Sequence, residues 1–202
     1  MIKVKICGLK SKQDIRYVNQ LRPDYVGFVF TQSTRQIDQH RAKELIEDLD
    51  KSIKKVGVFL NTPINEVKEI AHYCDLDILQ FHGDEDPLYC QSFDQEVWKG
   101  FRIKGRDSLK QLREYPVDGF LLDTFVKGQY GGTGKAFKWD IVTDISQGQF
   151  VILAGGLTSE NVKQAIETAH PKVVDISSGV EINGAKDFEK MKEFIEKVRE
   201  II

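Results

Sequence analysis

The stretch "FVILAGGLTSENVKQAIETAHPKVVDISSG", residues 150–179, holds an apolar β-branched run, a glycine pair, a segment of helical period and a second β-branched run. Strand, helix and strand in that order within 30 residues describe a unit whose two strands lie parallel, joined by a right-handed crossover. The same alternation extends to both ends of the chain. Strand-like runs fall at 3–7 (KVKIC), 25–30 (YVGFVF), 55–60 (KVGVFL), 77–82 (DILQFH), 97–103 (VWKGFRI), 119–123 (GFLLD), 150–155 (FVILAG) and 173–178 (VVDISS). Helical spacing is read between them at 11–21, 38–49, 65–73, weakly at 86–93, then at 107–115, 138–145, 158–169 and 187–201. Ser11, Asp38, Asp107, Thr158 and Asp187 stand as capping residues at helix starts. Eight such units are what a closed (β/α)8 TIM barrel needs, and an open doubly wound sheet is the alternative. No linker or shift of composition interrupts residues 1–202, so a single barrel domain is expected.

Composition narrows the partners. With 202 residues, 41% hydrophobic and 30% charged, the chain can bury a sizeable core. Its net charge of -2, with acids and bases interspersed, supplies no basic field for nucleic acid. An anionic ligand therefore needs a local device. No apolar run approaches the roughly 20 residues that cross a bilayer, so no membrane partner is expected. Three cysteines, an odd count, and no charged-then-apolar leader point to a reducing cytoplasm rather than a disulfide framework.

In barrels the chemistry gathers where strands end. Cys7, Asn61, His82, Arg102, Asp123, Gly155, Gly156, Ser177, Ser178 and Gly179 occupy those ends, with Arg35 shortly after the second strand. Side chains alternate along a strand, so an inward Cys7 brings Lys5 inward, and inward His82 and Asp123 bring Gln80 and Leu121. Asp175 and Ser177 share a face, and Lys5 and Asp175, on first and last strands, would pair beneath the rim because a buried lysine needs a partner. The glycine-rich turns after the last two strands suit phosphate on backbone amides.

Other motifs are weaker. "GGTGK", 131–135, is no P-loop, because Gln129 stands where the first glycine belongs and Ala136 follows Lys135. His72, Cys74, His82 and Cys90 match no zinc spacing, so no metal is expected; the two cysteines read as packing residues, and His40, His72 and His170 as solvated ones. "HGDEDP", 82–87, reads as a solvated loop, and 124–139 as a glycine-rich functional loop.

Taken together, KICG, GFVFTQSTR, LQFHG, LLDT with GGTGK, LAGGLTSENV and DISSGVE, in this order from Lys3 to the final helix, resemble the phosphoribosylanthranilate isomerases of tryptophan biosynthesis. The resemblance implies an Amadori rearrangement of a phosphorylated aminoaldose, without cofactor, by a monomer or homodimer. It implies Asp123 as general acid and Cys7 as general base, Arg35 at the anthranilate carboxylate, and His82, Asp175 and Gly132 at the sugar or closing over it. Phosphate would lie on Gly155, Gly156, Ser177, Ser178 and Gly179. Thr34 departs from the proline many relatives place before the arginine, which would loosen that loop. Nearby positive charge should favour the Cys7 thiolate, and burial with substrate charge should raise the Asp123 pKa. The sister aminoaldose isomerase of histidine biosynthesis is one alternative, but it uses aspartates on strands one and five. Triose-phosphate isomerisation is more distant, because its glutamate base has no place after strand six. A non-catalytic phosphometabolite-binding barrel leaves Cys7 and Asp123 unexplained.

Overall fold

A computed structural model describes residues 1–103, 106–123, 139–146 and 148–201. Eight parallel strands close into a barrel in sequence order: β1 Lys3–Cys7, β2 Tyr25–Val29, β3 Lys54–Phe59, β4 Ile78–Phe81, β5 Glu96–Arg102, β6 Gly119–Asp123, β7 Val151–Ala154 and β8 Val173–Ile176. β8 pairs with β1, with Lys5 opposite Asp175, so no edge is left open. A two-stranded antiparallel ribbon, β9 Glu181–Ile182 and β10 Ala185–Lys186, follows β8. The helices are α1 Lys12–Leu21, α2 Gln39–Glu47, α3 Ile64–Cys74, α4 Pro87–Cys90, α5 Asp140–Ser146, α6 Val162–Ala169 and α7 Phe188–Arg199.

Two expected helices differ from the sequence reading. Residues Arg106–Glu114 form a 3-10 helix rather than an α-helix. Leu109, Leu112 and Tyr115 recur at intervals of three, the repeat at which side chains of a 3-10 helix eclipse, and all three pack on the core. The segment read as 158–169 begins its helix only at Val162, because Asn161 turns its Oδ1 back to accept from Thr158 N, at 2.9 Å, instead of Thr158 capping forward. The capping box at Ser11 forms as read, with Ser11 Oγ accepting from Asp14 N at 3.1 Å and Asp14 Oδ2 from Ser11 N at 3.0 Å.

The strand parity divides the core. Outward residues such as Ile6, Phe28, Phe59, Leu79, Leu122, Leu153 and Val174 pack under the helices. Inward residues Tyr25, Val56, Ile78, Trp98, Leu121, Ile152 and Val173 fill the barrel's lower half. Above them the interior turns polar with Lys5, Gln80 and Asp175, all buried. The apolar floor thus seals one end and leaves the chemistry at the other.

An unexpected repeat fastens that floor. Asp24, Asp77 and Asp118 each immediately precede or lie one residue ahead of an even-numbered strand. Their carboxylates accept from Val4 N at 2.9 Å, Lys55 N at 2.8 Å and Val97 N at 2.8 Å on the preceding odd strand. Each aspartate also donates its own N–H back to the carbonyl of that residue, at 3.0 Å in all three cases. At the fourth pair Lys172 keeps the backbone bond, to Val151 O at 2.9 Å, where the residue type supplies no carboxylate.

Removing one clasp should cost stability without touching the rim. Asp118→Ala is expected to lower unfolding free energy by about 1–3 kcal/mol, the worth of a hydrogen bond to a charged acceptor. Chemical denaturation would show this as an earlier midpoint, with turnover unchanged.

Candidate active site

Cys7 ends β1 and faces the interior opposite Gly27 of β2. A Cβ on Gly27 would lie 2.7 Å from the Cys7 sulfur, so only glycine leaves room for the thiol there. One pleat below, Lys5 is fully buried, and its Nζ donates to Asp175 Oδ2 and to Gln80 Oε1, each at 2.9 Å. The expected Lys5–Asp175 pair is therefore present. Burial pulls the Lys5 pKa down, but Asp175 and Cys7 more than offset it, and the ammonium is held above its ordinary value. Among the described residues, the second Asp175 oxygen, Oδ1, is buried without a hydrogen-bond partner. Such an acceptor is costly unless a ligand donates to it.

The thiol itself corrects one expectation. Burial pushes the Cys7 pKa above the ordinary 9.0, and Asp175 adds to that rise, while Lys5 and Lys186 pull against it. Positive charge is nearby, as expected, but desolvation of the thiolate wins.

His82 follows β4 on the inward parity. Its Nδ1 lies 3.1 Å from Gln80 Nε2, and its Nε2 lies 3.9 Å from Oδ2 of Asp123, the last residue of β6. Room for the ring comes from Gly100 of β5, where a Cβ would stand 3.1 Å from two ring carbons. Burial lowers the His82 pKa; Asp123 works against this, and Lys5 reinforces it. At neutral pH the imidazole is uncharged.

The loop "HGDEDP" is not simply solvated. Glu85 is buried, accepting from Asn61 N at 2.7 Å and Gly83 N at 2.9 Å, with Lys99 Nζ 3.2 Å away. Lys99 also donates to Gly83 O at 2.7 Å. Outward-facing Lys99 and Glu85 thus tie the ends of β3, β4 and β5 together behind His82.

Across the mouth, Gly155 and Gly156 after β7 both have positive φ, 88° and 65°, which a side chain would disfavour. Asn161 Nδ2 donates to Gly156 O at 2.9 Å, fixing the turn. After β8, Ser177 Oγ donates to Cys7 O at 2.9 Å, and Ser178–Val180 make a short 3-10 turn. The two glycine-rich turns therefore flank the end of β8, beside the strand that carries Cys7. Gly132 and the rest of the 124–138 loop lie outside the described residues.

The ribbon β9–β10 brings in two residues that the sequence reading missed. Arg35 binds Glu181 as a fork, Nε to Oε1 and Nη2 to Oε2, both at 2.7 Å. Lys186 Nζ donates to the same Glu181 Oε1 at 2.7 Å and to Ser177 O at 3.0 Å. Burial alone would raise the Glu181 pKa, yet hydrogen bonds from Arg35 and Lys186 hold it down at about 2. The signal for Glu181 was the acid closing DISSGVE; nothing in the sequence joined it to Arg35. In the Arg35 loop, Arg35 N donates to Ser33 Oγ at 3.1 Å and Ile37 N to Val29 O at 2.9 Å.

A closed parallel barrel carrying a thiol, a carboxyl, an imidazole and a guanidinium on its C-terminal rim has the layout of a (β/α)8-barrel enzyme. The family model for N-(5'-phosphoribosyl)anthranilate (PRA) isomerase matches residues 4–197, and the chain belongs to that family. It is 52% identical to the N-(5'-phosphoribosyl)anthranilate isomerase of a Thermoanaerobacter species over 202 residues, covering 100% of both chains. Among solved structures it is similar to the phosphoribosyl anthranilate isomerase of Thermotoga maritima, with 33% identity, a TM-score of 0.90 and 100% of both chains covered. A second such structure, with 31% identity, a TM-score of 0.88 and 100% of both chains covered, holds reduced 1-(o-carboxyphenylamino)-1-deoxyribulose 5-phosphate.

The raised thiol pKa has a direct readout. In the unliganded protein, iodoacetamide labelling of Cys7 should be slow at neutral pH and keep accelerating beyond about pH 10, where a thiol of ordinary pKa has levelled. Mass spectrometry of the Cys7 peptide across pH measures it, and a plateau below pH 8 would contradict the burial argument.

Proposed function

We propose that this chain isomerises N-(5'-phosphoribosyl)anthranilate to 1-(2-carboxyphenylamino)-1-deoxyribulose 5-phosphate, with Asp123 as general acid and Cys7 as general base. The reading is carried by one observation: these two groups end β1 and β6 of one barrel, on the rim that also bears Arg35 and both glycine-rich turns. β1 ends in Cys7 and β5 in Arg102, so the paired aspartates of the sister isomerase are absent from those positions.

Asp123 protonates the furanose ring oxygen as the C1–O bond breaks, and the anthranilate nitrogen lone pair forms the C1=N iminium. Cys7 then takes the C2 proton, and the C2–H electrons form the enolamine C1=C2 bond while neutralising the nitrogen. Tautomerisation of the enol at C2 gives the ketone. The iminium cation matters to the thiol. Burial pushes Cys7 toward its neutral form, and a positive charge on the neighbouring substrate atom favours the thiolate at the step that needs it. Each proton transfer contributes about 10²- to 10⁴-fold.

The substrate's two anionic ends have matching receptors. Phosphate lies on the amides of Gly155, Gly156, Ser177, Ser178 and Gly179, while the edge of the Arg35 guanidinium not taken by Glu181 holds the anthranilate carboxylate. Asp175 Oδ1 accepts from a sugar hydroxyl, which supplies its missing partner. The resemblance adds Gly132 to the substrate-binding residues. The ligand is thus a small phosphorylated molecule. No described helix is long and apolar enough to cross a membrane. A reducing cytoplasm is the proposed compartment, supported by the reaction's need for a free Cys7 thiol, and a monomer or homodimer is the proposed assembly.

Cys7→Ala and Asp123→Asn are each expected to cut turnover by at least about 10²-fold, with melting near that of the parent protein. Loss of anthranilate-type fluorescence from freshly made aminoaldose reports the rate. Arg35→Met should raise KM for that substrate by much more than for an aniline analogue lacking the carboxylate. A wild-type protein inert toward the aminoaldose would sink the reading.

A further inference from the structure

The buried Lys5 constrains its neighbours beyond its own ion pair. An ammonium has only donors, so the Gln80 atom 2.9 Å from Lys5 Nζ is the amide oxygen. That turns the Gln80 NH2 group toward His82, with Nε2 3.1 Å from Nδ1. An NH2 group likewise only donates, so Nδ1 of His82 must accept and carries no hydrogen. The single ring proton of neutral His82 therefore sits on Nε2, the nitrogen turned toward Asp123 Oδ2 at 3.9 Å. We infer that Gln80 is a positioning residue for the isomerisation: read against Lys5, it fixes His82 as the Nε2–H tautomer, which turns the ring's one donor toward Asp123 Oδ2.

The alternatives each force like against like. The other tautomer, or an imidazolium, would point Nδ1–H into the Gln80 NH2 group. Reversing the amide would point NH2 at the Lys5 ammonium. Both leave donors facing each other among buried groups, a cost of the kind that buried polar networks avoid. On its Gly100 side the ring meets a glycine, and Lys99, which faces the other side of β5, adds only unfavourable charge for an imidazolium. At 3.9 Å the His82–Asp123 contact is too long for a hydrogen bond. Contacts of this kind between acid and base groups tighten around ligand. When Asp123 gives its proton to the ring oxygen, the resulting carboxylate keeps its charge-assisted bond from His82 Nε2–H, and no proton passes through the imidazole. The catalytic part of this inference rests on Asp123 being the acid; the tautomer itself does not.

Nitrogen NMR of protein labelled with ¹⁵N-histidine separates the two. The chain has 4 histidines, and His82→Asn identifies which signals belong to His82. In the wild type, Nε2 is expected protonated and Nδ1 bare. Gln80→Glu keeps a hydrogen-bond acceptor toward Lys5 but presents an acceptor to the ring, so His82 should change to Nδ1–H or to imidazolium. Its kcat should fall by at least about tenfold while KM shifts less than about threefold. Should that variant fold poorly, Gln80→Met preserves the packing and ends the relay; its kcat should fall similarly, with His82 no longer confined to one tautomer. A wild-type His82 protonated on Nδ1, or a folded Gln80→Met with undiminished kcat, overturns the inference. Undiminished turnover in Asp123→Asn, with wild-type His82 signals, overturns instead the assignment of the acid.

Discussion

A lysine ammonium sealed from solvent stands in the upper layer of this barrel, and the polar groups around it are arranged to suit a cation that cannot reach water. Taking such a charge out of water costs several kcal/mol before any partner is counted, so its neighbours are not free to vary independently. Asp175 answers the charge from the adjoining strand, Gln80 offers its oxygen from across the barrel, and Cys7 lies one pleat above. The lysine thereby fixes the orientation of an amide, and through it an imidazole, while keeping a positive field under the thiol. Breaking it would leave Asp175 buried and uncompensated as well as freeing Gln80, which is why the polar layer behaves as one unit.

A second cluster orders the rim. Arg35, Glu181 and Lys186 together carry one net positive charge, and Lys186 also reaches Ser177, whose hydroxyl reaches the Cys7 carbonyl. The loop after β2, the turn after β8 and the end of β1 are thus joined by hydrogen bonds. This is the local device that a chain of net charge -2 needs to receive an anion with charges at both ends. Because Glu181 uses one edge of the Arg35 fork, the guanidinium is held in place before a ligand arrives, and less rotamer entropy remains to be lost on binding.

Eight strands were legible because buried parallel strands are short β-branched runs, and the observed boundaries fall within two residues of those read from the pattern. Inward parity followed directly, so Lys5, Gln80 and Asp175 could be placed on the interior and Lys5 could be paired. Energetic balances were not legible. Sequence shows that positive charge lies near Cys7, but only the fold shows that burial outweighs it. Local pattern also misjudged Arg106–Glu114, where a repeat of three masqueraded as part of a 3.6 period, and the loop at Glu85, whose acid looks solvated until Lys99 is seen behind it. Contacts between residues distant in the chain, such as Arg35 with Glu181, leave no periodic trace at all. The clasps at Asp24, Asp77 and Asp118 did leave one, an acid ahead of every even strand but the last, which becomes readable once strands are counted in pairs.

The bond between Lys5 and Asp175 spans 170 positions of the chain. During synthesis the strand bearing Lys5 and Cys7 leaves the ribosome well before β8, so the carboxylate that neutralises the lysine becomes available only after 170 further positions. Pairing of β1 with β8 is a contact of long sequence separation, and the polar layer around Lys5 is complete only once β8 is in place.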